Sequence, residues 1–223
     1  MALNLFASVQ SVEASEAIAH VAPLSHGSGL LAIPCWIQGA AQTIPESGVF
    51  DESKVFDLLD RHSDSSLFAA PTIVRRMTRY AMDNKRTARV LRTTVTGGAP
   101  FYLVDIKSAV SCLGPRVAQL YGQGETPMSI TALSASQIGK AVSDGDDAML
   151  QSLGAVLPSL QVAILNELRN QVWARTLGEV EVRGPHADER ISQRSGRHWP
   201  RACRWMAAHW GGWSDGRPWP PAA

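Results

Sequence analysis

Two hydrophobic periods alternate along this chain, and that alternation narrows the possible folds more than any other feature. From about residue 3 to residue 182, short apolar runs rich in β-branched residues are separated by longer segments whose apolar positions recur every three to four residues. The first kind of run fits a buried strand and the second an amphipathic helix. Their alternation is the pattern of an α/β protein built on a largely parallel sheet. Strands are expected at 18–22, 40–44, 66–69, 90–96, 116–120, 160–165 and 179–183, and helices at 29–37, 51–62, 72–82 and 102–113. The second helix would place Val55, Leu58, Leu59 and His62 on one face.

Two glycine-bearing loops stand out within this frame. The strand at 90–96 runs into Gly97-Gly98-Ala99-Pro100, where proline suits the first turn of the next helix. The strand at 116–120 ends in Tyr121-Gly122-Gln123-Gly124-Glu125. Both loops leave the carboxyl ends of consecutive strands, which is where open α/β sheets receive ligands.

Bulk properties exclude several classes of partner. With 21 basic against 20 acidic side chains the formal charge is +1. No strong field is directed at nucleic acid or anionic lipid, and a small molecule is the expected partner. Cys35, Cys112 and Cys203 are far apart and lack metal-ligand spacing, so reduced thiols in a cytoplasmic setting are expected. The N-terminus shows no basic region followed by an apolar run, and no stretch reaches the roughly 18 apolar residues of a membrane span.

Composition changes after residue 186. Residues 187–223 hold five of the seven tryptophans, six arginines, four prolines and no lysine, with neither helix nor strand period. Trp199, Trp205, Trp210, Trp213 and Trp219 interleaved with arginine would suit nucleic-acid stacking. The preferred reading is plainer: such mixtures arise when a GC-rich gene is read out of frame. The chain is therefore divided into a folded part, 1–186, and a Trp/Arg/Pro-rich tail, 187–223, that is out of frame or disordered.

Four pieces now carry a resemblance. Ala22-Pro23-Leu24-Ser25-His26-Gly27-Ser28-Gly29-Leu30, Gly97-Gly98-Ala99-Pro100, Tyr121-Gly122-Gln123-Gly124-Glu125-Thr126 and Gly178-Glu179-Val180-Glu181-Val182-Arg183-Gly184-Pro185 occur in that order. Ala70-Pro71-Thr72 ahead of a helix fits as well. Each is weak alone, but together their order resembles the adenylate-forming (AMP-binding) superfamily, and within it the acyl-CoA synthetases. The resemblance implies a layered αβ sandwich belonging to the large N-terminal domain. It also implies ATP-dependent activation of a carboxylic acid, fatty or aromatic, through an acyl-adenylate, followed by transfer to coenzyme A. ATP or AMP, Mg²⁺ and coenzyme A are the implied ligands.

The residues suit those roles physically. Glycines let backbone approach a ligand closely. Tyr121 offers a face for adenine, and Glu125 the hard carboxylate oxygen that Mg²⁺ takes beside phosphate oxygens. The resemblance makes Glu125 the magnesium ligand and lays Gly97, Gly98, Ala99 and Pro100 along the adenine ring. It gives Tyr121, Gly122, Gln123 and Gly124 to nucleotide binding, and His26 to the wall between acyl pocket and nucleotide. The family commonly has threonine where this chain has Gly124, so Thr126 or a backbone N–H would have to supply the phosphate contact. Read alone, the Gly97–Pro100 loop passes equally for a tight βα turn, whereas the weaker alternative for the Tyr121 loop is an ordinary strand-to-helix turn with a solvent-facing glutamate. His20, His62 and His186 show no metal-like pairing and are read as structural or solvated.

Other family parts are not found in these residues. Residues 1–17 hold no Ser/Thr/Gly-rich phosphate loop, 2–9 resembling the helix that follows one. The Thr-Gly-Asp motif would fall in the tail, where Asp215 is a poor substitute, and the C-terminal lysine domain is not present. One such electrostatic donor is typically worth about 10²–10³ in rate, so near-zero ligase activity is expected. Uncovered apolar faces should favour self-association. A non-catalytic nucleotide- or acyl-binding protein with an interaction tail is the alternative. A doubly wound oxidoreductase is disfavoured because no GxGxxG follows an early strand.

Overall fold

The computed structural model describes residues 12–46, 48–62, 64–88, 91–128, 130–158, 160–172, 176–185, 187 and 202–203. Its strands are β1 (Ala17–Ala19), β2 (Ala41–Thr43), β3 (Ser65–Ala69), β4 (Leu91–Thr96), β5 (Val117–Tyr121), β6 (Thr131–Leu133), β7 (Ala155–Val156), β8 (Gln161–Leu165), β9 (Glu179–Arg183) and β10 (Ala202–Cys203). Its helices are α1 (Gly27–Gln38), α2 (Glu52–Arg61), α3 (Pro71–Asp83), α4 (Leu103–Leu113), α5 (Ala135–Asp144) and α6 (Asp147–Leu150).

One sheet runs β2-β1-β3-β4-β5-β6-β7. From β2 to β5 all neighbours are parallel, and each step along the chain is bridged by one of the helices α1 to α4, as parallel pairing requires. β6 and β7 extend the sheet in the antiparallel sense. A second, wholly antiparallel sheet is ordered β10-β9-β8. On one face of the large sheet α2, α3 and α4 bury Val55, Phe56, Met77 and Ile106. On the other, Leu31 and Cys35 of α1 pack on Ile18, Phe68, Val95 and Leu120. The expected α/β layering is therefore present.

Local chemistry explains where the helices begin and end. Asp51 accepts the Lys54 N–H at 3.0 Å and caps α2. Pro71 occupies the first turn of α3 behind an extended Ala70. α1 stops at Gly39, whose left-handed φ of 76° closes the helix with hydrogen bonds to Cys35 and Trp36.

Every strand and helix expected among the described residues is present, with ends moved by a few residues. β6, β7, β10, α5 and α6 were not expected. α5 had a readable signal: Ser134 and Gln137 form a reciprocal capping box ahead of buried Ile138 and Ala141. β6, of three residues, and β10, of two, are too short for alternation to register. β10 lies in the tail, where no strand period exists. Its backbone pairs with Glu181 and Val180 of β9, which needs no side-chain pattern. In α2, Phe56 joins Val55 and Leu59 in the core, while His62 sits half-buried at the C-cap. Segment 2–9, Val90, His186 and the tail apart from residues 187 and 202–203 lie outside the described residues.

One irregularity ties the sheet together. The β3–β4 register passes from Ser65↔Leu91 to Ser66↔Thr93, so Arg92 is the extra residue of a β-bulge. Its guanidinium pairs with Glu16, just before β1. That carboxylate is buried and has no hydrogen-bond partner besides this ion pair among the described residues. Among the same residues, no helix is long and apolar enough to cross a membrane.

Candidate functional site

The parallel strands β3, β4 and β5 all end on the same edge, and their following loops carry most of the candidate residues. Gly97 leaves β4 directly over its neighbour: a Cβ there would lie 2.7 Å from the Leu120 carbonyl oxygen of β5. The two glycine loops are thus adjacent at backbone distance. After β5 the chain reverses tightly, with Gln123 and Thr126 exchanging backbone hydrogen bonds of 3.3 Å in both directions. Gln123 Nε2 donates to the Tyr121 hydroxyl at 2.8 Å, and the Ile130 N–H donates to the Tyr121 carbonyl at 2.9 Å. A Cβ on Gly122 would come within 2.5 Å of Met128 Cα, so this loop folds onto its own backbone.

The turn that starts α1 arrives from the other side. A Cβ on Gly27 would meet Met128 Sδ at 2.6 Å and the Phe68 ring at 2.7 Å. Met128 therefore separates the His26-Gly27 turn from the Tyr121–Thr126 reversal. His26 itself is the exposed N-cap of α1 and makes no side-chain cap.

The candidate residues differ in what they present. Gly98, Ala99, Pro100 and Gly124 are exposed, so the loops form an open ledge rather than a closed chamber. Glu125 is half-buried, and its side chain has no partner among the described residues. Thr126 is only 4% exposed, turned inward by the reversal. Tyr121 reaches an apolar crevice between the two sheets, lined also by Ile130 and Leu153 on one side and by Val162, Ile164 and Val180 on the other.

No group of three or more His, Cys, Asp or Glu residues gathers among the described residues. The described residues therefore build no all-protein metal cage. A single free carboxylate beside open backbone does fit Mg²⁺, which keeps its waters and is shared between one or two carboxylates and substrate phosphates.

His20, read from sequence as structural or solvated, is buried and hydrogen-bonded through both ring nitrogens to Ser28 and Gln42. Nothing in sequence spacing marks that trio, because its members come from the residue after β1, from α1 and from β2.

Two substitutions in one loop separate backbone demand from mere openness. Gly122→Ala should force the reversal off the Met128 backbone, costing about 1–3 kcal/mol as an overpacked site does, or roughly 5 °C in Tm. Gly124→Thr should leave Tm unchanged, since a Cβ there meets nothing within 4 Å. Thermal unfolding of the two variants checks both; equal shifts would contradict the geometry.

The fold has counterparts among known proteins. Residues 1–188 match the family described as AMP-binding enzyme. Over 163 residues the chain is 28% identical to the medium/long-chain-fatty-acid–CoA ligase FadD8 of Mycobacterium tuberculosis, an overlap of 73% of this chain and 27% of that protein. The solved amide bond synthetase McbA from Marinactinospora thermotolerans superposes with a TM-score of 0.71 at 22% identity, over 84% of this chain and 36% of that one. O-succinylbenzoate coenzyme A synthetase from Bacillus subtilis, in complex with AMP, gives 0.69 at 23% identity, over 84% and 36%. These structures share the fold, and the chain spans about a third of their length. With two adjacent glycine loops at the carboxyl edge of a parallel sheet and a family match that runs through all four motifs, the chain belongs to the AMP-binding, adenylate-forming enzyme family.

Proposed function

We propose that residues 1–186 form part of the large nucleotide-binding domain of an acid–thiol ligase, which activates a carboxylic acid with ATP and passes it to coenzyme A. A fatty or aromatic acid is the substrate class, in keeping with the fatty-acid–CoA ligase among the relatives. The observation that carries this reading is the close approach of Gly97 to the Leu120 carbonyl, which sets its loop beside the Tyr121 loop, together with Glu125, whose side chain has no partner among the described residues. In this reading Gly97, Gly98, Ala99 and Pro100 flank the adenine. Tyr121, Gly122, Gln123 and Gly124 bind the nucleotide, and His26 faces the acyl group. Glu125 would hold Mg²⁺, which neutralises phosphate charge when bound; Thr126, turned inward, supports the loop more than it reaches phosphate. The family match ends at residue 188, which supports setting 187–223 apart as a tail.

Attack of a carboxylate on the α-phosphate brings two anions together, so the protein's work is mostly positioning and charge stabilisation. Glu125 and the loop N–H groups supply a fraction of that. The 223 residues alone should therefore bind adenine nucleotide and turn over little or not at all. Exposed Trp36 and Ile37 at the end of α1 and Val104 on α4 support self-association of the isolated chain.

The test is calorimetric titration of the purified chain with AMP and with ATP, with and without Mg²⁺, alongside pyrophosphate release on adding medium-chain and aromatic acids. Saturable nucleotide binding with negligible pyrophosphate release is expected. Absence of nucleotide binding sinks the site, and robust turnover sinks the claim of inactivity.

A further inference from the structure

A polar bridge behind the acyl-side turn has no part in the function proposed above. His20 follows β1, is 5% exposed, and anchors its backbone by donating its N–H to the Thr43 carbonyl at 2.8 Å. Its ring spans two elements: Nδ1 lies 2.8 Å from Ser28 Oγ in α1, and Nε2 lies 2.6 Å from Gln42 Oε1 in β2. The Gln42 amide N–H points to the Ala40 carbonyl at 3.4 Å, which leaves Oε1 toward the ring. An amide oxygen only accepts, so Nε2 carries the hydrogen. In the neutral ring Nδ1 then accepts from the Ser28 hydroxyl.

The location matters more than the bonding. Ser28 is fully buried in the first turn of α1, two residues after His26 and one after Gly27. That turn has no side-chain N-cap to fix its entry angle, because His26 makes none. Seven residues on, and so on the same helix face, Cys35 is buried as well. Burial pushes its thiol up to about 11. α1 is thus pinned to the β1–β2 edge through the Ser28–His20–Gln42 bridge. On the opposite side of the turn, Gly27 has no slack against Met128 and Phe68.

We propose that His20 is a positioning residue for acyl recognition, holding the Ser28 end of α1 so that His26 and Gly27 keep their register against the Tyr121–Met128 loop. The proposal rests on the reading of this ledge as an acyl-adenylate site. Loss of the imidazole frees the turn to shift or rotate, which disturbs the acyl side while the Gly97 and Tyr121 loops, built on β4 and β5, stay in place.

The experiment compares AMP with a non-hydrolysable acyl-adenylate mimic, decanoyl-sulfamoyl adenosine, on the wild-type chain, His20→Ala and Ser28→Ala. Wild type is expected to bind the mimic more tightly than AMP. In both variants that advantage should fall about tenfold, the scale expected when a buried hydrogen-bonding group loses its partner, with AMP affinity held within about twofold. A merely structural role would weaken both ligands together. An advantage that survives intact in both variants overturns the proposal, and so does a parallel loss of AMP and mimic. If wild type binds neither ligand, the nucleotide reading itself has failed and takes this inference with it. Long-range ¹⁵N imidazole spectra of the wild-type chain provide a check that needs no variant to fold. They should show His20 with hydrogen on Nε2 and an accepting Nδ1, and the opposite tautomer is incompatible with the bridge.

Discussion

Glu125→Gln is expected to abolish the Mg²⁺-dependent part of ATP affinity, a loss of about tenfold or more, while AMP binding changes little. Glutamine keeps the size and one neutral oxygen but removes the charge, so the variant isolates electrostatics from packing. The loops 97–102 and 121–128 contain no other acidic side chain, and Glu125 is tied up by no partner among the described residues. A hard cation bridging protein and phosphate has only this carboxylate to use on the ledge. Tenfold corresponds to about 1.4 kcal/mol, modest for a metal ligand because the water-rich shell of Mg²⁺ remains. Titration of ATP with Mg²⁺ and with EDTA measures the increment in both proteins. If wild type shows no increment, or the variant keeps it, Glu125 is not a metal ligand.

Arg92→Ala carries the largest expected effect on stability. Glu16 has 2% of its side chain exposed and depends on Arg92 for compensation. Removing one partner of a buried pair typically costs about 3–5 kcal/mol, because the other charge stays behind without its solvent or its partner. The guanidinium side is 31% exposed, so water can partly replace it, and about 3 kcal/mol is the better expectation here. For a chain of this size that is roughly 6–12 °C in Tm. Glu16→Gln combined with Arg92→Ala should recover part of the loss, since no charge is then left in the interior. The bulge gives this pair its reach: as the extra residue of β4, Arg92 extends past β3 to the foot of β1. Denaturation of the two variants side by side decides the matter. A double variant no more stable than Arg92→Ala would place the cost in the bulge backbone rather than in the buried charge.

Much of the fold could be read directly from the chain because its strong elements advertise themselves. The apolar stripe of α2, the proline opening α3 and the β-branched run of β4 are local signals, and the structure keeps all three. What stayed hidden was either too short or not local. β6 and β7 add to the sheet through backbone pairing over three and two residues. β10 does the same against β9. α5 was readable through its Ser134 and Gln137 box, but its apolar face is sparse, with only Ile138 and Ala141 buried.

The ledge divides along the same line. Glycines before and after a strand end mark a loop where backbone comes close to something, and Gly97 and Gly122 do meet neighbouring backbone. Which backbone they meet depends on β4 and β5 lying side by side in parallel, a long-range pairing that no spacing encodes. The inward turn of Thr126 likewise follows from the reversal sealed by Gln123, not from its neighbours in sequence.

Sequence by itself therefore determined the element types, the glycine loops and the family, because propensity, periodicity and motif order are properties of short stretches. Tertiary structure alone decided that Arg92 compensates Glu16 and that His20 grips Ser28 and Gln42. Burying a charge or an imidazole is costly unless a partner arrives, and those partners sit on different strands and helices that meet only when the sheet assembles.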